Sequence, residues 1–216
     1  IIVAVFSPIL GAIADNGGYR KFFLISFTAI CSLFSVLLYF PEAGDVFWAL
    51  TLFIIANIAF EMGTVFCNSY LPDLSNQENS GSISGFAWGL GFVGGLLALF
   101  LALLLFDVNN PVELRKINVL VGIWFAVFSI PTFLFLKDRK KEKLTKKHIS
   151  DSFTIIRKTF NSITYYKQIS QFLIARLFFN DGLITIFALG GIYAVGTINF
   201  TFEEVMLLGI VLNFAA

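Results

Sequence analysis

The sequence predicts an all-α integral membrane fold, and three observations carry that expectation. Hydrophobic residues make up 57% of the 216 positions and charged residues 13%, against about 25% charged in soluble domains. The apolar residues come in unbroken runs, and several reach the ~20 residues needed to cross ~30 Å of hydrocarbon. None of these runs alternates apolar with polar residues, so they do not read as strands. In lipid, unbroken apolar segments of that length satisfy their backbone groups only as helices.

Taken in order, the runs are Ile1–Ala14, Phe22–Phe40, Phe47–Tyr70, Ser84–Phe106, Ile117–Leu136, Gln171–Ile198 and Glu203–Ala216. The five in the middle read as full spans. The first and last are too short to span and lie flush against the chain ends, and residue 1 is Ile rather than Met. They read as two truncated helices of a fragment whose remainder is missing. Pro8 and Pro131 mark expected kinks.

The connection between the first two runs carries its charges against the local electrostatics. Asp15 stands at the C-terminal end of one helix, where partial charge is negative, and Arg20 and Lys21 at the N-terminal start of the next, where it is positive. Each placement costs a few tenths of a kcal/mol, so an offset outside both helices is expected. A membrane orientation that wants cations on this side would supply one, and a docking partner for the carboxylate another.

Glu61 lies inside the third run, close to Asn57. A carboxyl at that depth costs at least ~2.5 kcal/mol, so it should face a cavity or a partner. Desolvation disfavours its charged form and makes it a candidate proton carrier. The fourth run holds Gly85, Gly89, Gly91, Gly94 and Gly95, whose spacing lets another helix approach closely. In the sixth, Arg176, Asn180 and Asp181 precede Gly182. Arg176 and Asp181, five residues apart, do not share a helix face. Gly182 lets the backbone bend, and bent spans near the midplane are where transporters build substrate sites.

Between the fifth and sixth runs the chain changes character. Lys137–Lys147 is dense in Lys and Arg, and Phe153, Ile156, Phe160 and Ile163 then fall on one helical face, the pattern of a helix lying in the membrane interface. Twelve of the 15 basic residues (Arg20, Lys21 and ten between Lys137 and Lys167) lie in loops that parity puts on one side. By the positive-inside rule that side is cytoplasmic. Cys31 and Cys67 sit within spans and read as small buried hydrophobes. His148 lies in the basic loop. No metal site, cofactor site, nucleic-acid partner or enzyme constellation is suggested by these residues.

Gly11-x-x-x-Asp15-x-x-Gly18-x-Arg20-Lys21 resembles the signature of the major facilitator superfamily between its second and third helices. The chain departs from it at Asn16 and Tyr19, where the family usually has basic residues. Three further strings resemble the branch of the vacuolar amino-acid effluxers of autophagy and their bacterial relatives. They are Asn68-Ser69-Tyr70-Leu71-Pro72-Asp73, the glycine-rich stretch Ser84 to Gly95, and Arg176-x-Phe178-x-Asn180-Asp181-Gly182. The resemblance implies a partial major-facilitator helical bundle, cut from twelve helices in two six-helix halves. Residues 1–136 would be the C-terminal part of the first bundle, 137–170 a cytoplasmic linker and 171–216 the start of the second.

It also implies secondary active transport of a small polar solute by alternating access, with amino-acid efflux and protons as coupling ion, in a bacterial inner membrane or a vacuolar membrane. On this reading Asp15 docks against a helix of the other half, and Gly11, Asp15, Gly18, Arg20 and Lys21 form a conformational gate. Glu61, Asn57, Asn180, Asp181 and Arg176 would line the solute or proton path. The alternative is a non-transporting membrane scaffold or receptor that acts through its basic loop; buried charges argue against it, since a scaffold has little reason to bear their cost.

Overall fold

The computed structural model describes residues 2–107, 110–138 and 167–215. The basic run beyond Asp138 and the amphipathic helix expected over 151–163 lie outside the described residues. The elements are α1 (Ile2–Gly17), α2 (Arg20–Leu37), α3 (Val46–Asn68), a short α4 (Leu71–Leu74), α5 (Ser80–Leu105), α6 (Pro111–Phe135), α7 (Lys167–Gly196) and α8 (Phe202–Ala215). Among the described residues there is no strand, and five helical segments are long and apolar enough to cross a membrane. The protein is an all-α integral membrane protein.

Helix starts lie earlier than the apolar runs suggest, for a local reason. At α6, Asn110 accepts the Val112 N–H at 3.0 Å and Pro111 occupies the first turn. Asn at the cap and Pro at the first position satisfy or remove N–H groups that otherwise lack a partner. Arg115 and Lys116 therefore belong to the opening turns of α6 rather than to a loop. Arg115 donates to the Pro41 carbonyl at 3.2 Å and lies 3.7 Å from Glu42, so the start of α6 is tied to the chain leaving α2. Pro8 and Pro131 both lie inside continuous helices.

The chain divides into two compact units, Ile1–Ile149 and Ser150–Ala216, each described by itself. In the first, α2 is the central post, with α3 on one side and α6 on the other, and α1 lies against α3. Ala14, Leu24, Met62, Phe66 and Tyr70 form the core, with Phe23 and Phe27 packed on it. Phe23, Phe27 and Phe66 stack nearly parallel, with centroids 5.1 to 6.3 Å apart. Such pairs contribute about 0.5–1.5 kcal/mol each beyond area. That matters in lipid, where helices gain little by hiding apolar surface from water.

The α1–α2 turn needs its glycine. Gly18 is buried at φ 62°, a left-handed conformation that costs other residues. The Tyr19 N–H bonds back to the Ala14 carbonyl at 3.0 Å, which closes α1 in the Schellman manner.

In the second unit α7 and α8 form a hairpin. Its turn carries Asn199 at φ 62°, a residue that tolerates the left-handed region. Thr201 and Glu204 then cap α8 reciprocally, at 2.8 to 3.3 Å. α7 runs as one continuous helix through Gly182; one glycine costs only about 1 kcal/mol relative to Ala in a helix interior.

Candidate transport site

α3 has two unlike faces. Leu52, Ala56, Ala59, Met62, Gly63 and Phe66 are buried against its neighbours. Asn57, Glu61, Thr64 and Asn68 recur at spacings of four, three and four residues, which puts them in one row, and all four are exposed. The Thr64 hydroxyl donates to the Phe60 carbonyl at 3.0 Å. Among the described residues the Glu61 carboxylate has no ion pair or hydrogen bond. Glu61 and Asn57 thus stand together, one turn apart, on the face that the bundle leaves open. Cys67 lies on this side too and is exposed, whereas Cys31 is buried; the expectation that both are buried fails at Cys67, which is not on the buried face of α3.

On α7, Arg176 and Asn180 line a shallow groove with Phe172, Ala175 and Phe179. These positions form one face of a helix, and Asp181 is not among them. The structure therefore groups Arg176 with Asn180 and places exposed Asp181 off that face. Arg176 is also deeper than the apolar run suggests, because the helix begins at Lys167.

At the hinge, Arg20 donates to Asp73 at 2.8 Å and to the Ser69 carbonyl at 3.3 Å. Its guanidinium lies 6.0 Å from the centre of the Tyr70 ring. Lys21 reaches the Leu136 carbonyl at 3.0 Å. Part of the offset that the sequence demands for these bases is thus found inside this chain, on α4 and just beyond α6. The Asp15 side chain lies outside the described side chains. Gly11 sits on α1 with nothing within 4 Å of where a Cβ would stand.

The glycines of α5 are not the ones at a close contact. Around Gly85, Gly89, Gly91 and Gly94 an added Cβ would meet nothing within 4 Å among the described residues, and Gly95 is exposed beside them. The close approach occurs at Gly122, which lacks the glycine-x-x-x-glycine spacing that would have flagged it. A Cβ there would sit 2.7 Å from Val36 Cγ2 and 2.8 Å from the Ser32 carbonyl, and the Ser32 hydroxyl donates to the Gly122 carbonyl at 2.6 Å. Asp73 was visible in the sequence as part of a string, but no local signal paired it with Arg20.

The family model described as "Vacuole effluxer Atg22 like" matches residues 1–216. The chain belongs to that family. Similar proteins include an uncharacterized MFS-type transporter, YxiO, of Bacillus subtilis, 26% identical over 89% of this chain and 47% of its own length. Autophagy-related protein 22 of Pichia angusta is 29% identical over 63% of this chain and 29% of its own length. Autophagy-related protein 22-1 of Aspergillus fumigatus is 27% identical over 54% of this chain and 21% of its own length. The chain spans about half or less of the length of these relatives. No solved structure matches it significantly.

Proposed function

We propose that the full-length protein is a secondary active transporter that moves a small polar solute of the amino-acid class by alternating access between two helical bundles. Residues 1–136 supply the later part of the first bundle, 137–170 the linker and 171–216 the beginning of the second. The observation that carries this reading is the row Asn57, Glu61, Thr64 and Asn68 on the open face of α3. A carboxyl held at hydrocarbon depth costs at least ~2.5 kcal/mol, and lipid would return nothing for it. A water-filled path between bundles hydrates it, and the amide and hydroxyl groups beside it can then exchange hydrogen bonds with a passing solute.

In this role Glu61 carries the proton that couples transport, and Asn57 holds the polar end of the solute. Arg176 and Asn180 are the contribution of α7, with Asp181 a separate candidate off their face. Gly11, Asp15, Gly18, Arg20 and Lys21 form the gate, and the glycines of α5 are the surface along which helices slide. Support for efflux comes from the family description, and support for transport also from the name of the Bacillus subtilis relative. The membrane is a bacterial inner membrane or a vacuolar one.

The test is flux. Full-length protein in proteoliposomes is given a panel of labelled amino acids and an imposed pH gradient. Glu61→Gln is expected to lower flux at least tenfold while the protein stays folded, since position 61 packs against nothing described. Flux that survives both Glu61→Gln and Asp181→Asn would overturn the assignment.

A further inference from the structure

The start of α2 provides nothing for its own N-terminus. Its first turn holds Arg20 and Lys21 and no acid, and Tyr19, at the cap position, makes no side-chain cap bond. The opening N–H groups of a helix have no acceptor within it, and two cations there add like-sign repulsion. The missing carboxylate arrives from a residue 117 positions later. Asp138 accepts the Lys21 N–H at 3.0 Å through Oδ1 and 3.2 Å through Oδ2, and the Tyr70 hydroxyl donates to Oδ1 at 2.6 Å. In return the Lys21 ammonium donates to the carbonyl of Leu136, the C-cap of α6, at 3.0 Å. An anion now stands at a helix N-terminus and a cation at a helix C-terminus, the arrangement that both helix dipoles favour.

We propose that Asp138 is the positioning residue of the hinge: it caps α2 from the first residues of the linker and, through Tyr70, fastens the ends of α2, α3 and α6 into one block. In sequence Asp138 stands among the bases Lys137, Arg139, Lys140 and Lys141, with Glu142 next. The geometry gives it another role, because both its oxygens accept from α2 and one of them also from Tyr70. The same block holds the Arg20–Asp73 pair, since Ser69 and Tyr70 directly follow α3 and Asp73 lies on α4 just beyond them. The backbone just beyond α6 is therefore held at a fixed point on the hinge. That the block moves as a unit during transport rests on the function proposed above; the capping itself does not.

The test uses full-length protein in nanodiscs and amide hydrogen exchange, read at residues 20–23, with variants Asp138→Ala, Asp138→Asn, Tyr70→Phe and the Asp138→Ala/Tyr70→Phe double. Losing a cap typically costs ~1 kcal/mol. Asp138→Ala should therefore speed exchange there by about fivefold, with the middle of α3 unchanged. Asp138→Asn keeps an acceptor oxygen and should fall between. Tyr70→Phe alone should give about a twofold rise, and adding it to Asp138→Ala should give none, because the hydroxyl acts through the carboxylate. Asp138→Ala should also lower kcat for flux with KM retained, as the residue lies off the α3 row. Unchanged exchange at 20–23 in Asp138→Ala, or a Tyr70→Phe effect that adds in full to it, would overturn the proposal. If Asp138→Ala does not fold, Asp138→Asn and Tyr70→Phe carry the same test. A protein that moves no solute sinks the transport reading and leaves the exchange result to decide this one.

Discussion

α2 and α5 are both apolar spans, yet they sit in this molecule in opposite ways. α2 is gripped on two sides, by α3 through stacked phenylalanines and by α6 through Gly122 and Ser32. α5 carries far more glycine, and the positions resolved around its glycines are open. The difference teaches that a row of small residues permits close approach but does not create it. What brings two helices together here is one glycine opposite a hydroxyl that can bond its carbonyl. In lipid, both close backbone approach at a small residue and a hydrogen bond across helices favour association.

Two substitutions sharpen that contrast, beginning with the largest effect. Gly122→Ala drives a methyl into Val36 and the Ser32 backbone, neither of which is the free end of a long side chain. Overpacking of this kind costs about 1–3 kcal/mol, read as a lower unfolding midpoint. Gly89→Ala meets nothing described and should leave the midpoint unchanged or raise it, since Ala gains up to ~1 kcal/mol of helix propensity over Gly. Equal losses at both positions would erase the distinction between the two helices.

Next comes the hinge pair. A double-mutant cycle on Arg20→Gln and Asp73→Asn should give a coupling of about 1 kcal/mol that shrinks with added salt, as for partly exposed ion pairs. The smallest effect belongs to Ser32→Ala, which removes one interhelical hydrogen bond. Such bonds average about 0.6 kcal/mol in membranes, and the midpoint should fall accordingly.

Composition and run length alone established the helices and their membrane setting, because crossing ~30 Å of hydrocarbon leaves few other options. The helix starts were less legible. The apolar runs ignored the polar turn Pro111–Lys116, although Asn110-Pro111 is itself a start signal. The row on α3 could be seen in part, as Glu61 and Asn57, because a charge inside a span stands out. Asp73 and Asp138 could not be matched with the hinge from sequence, since the pairings join residues 53 and 117 positions apart. No periodicity reaches that far, and an acid among bases looks locally satisfied. The openness of α5 was hidden for the converse reason: spacing shows what a face allows, not what fills it.

The central claim is that the polar row of α3 lines an aqueous path. The direct test places single cysteines at 57, 61, 64 and 68, and, for contrast, at the exposed apolar positions 33 on α2 and 127 on α6, in full-length protein lacking Cys31 and Cys67. A membrane-impermeant thiol reagent should label the four row positions, and a transported solute should slow labelling at 57 and 61. Row positions that stay as unreactive as 33 and 127, with and without solute, would contradict the account.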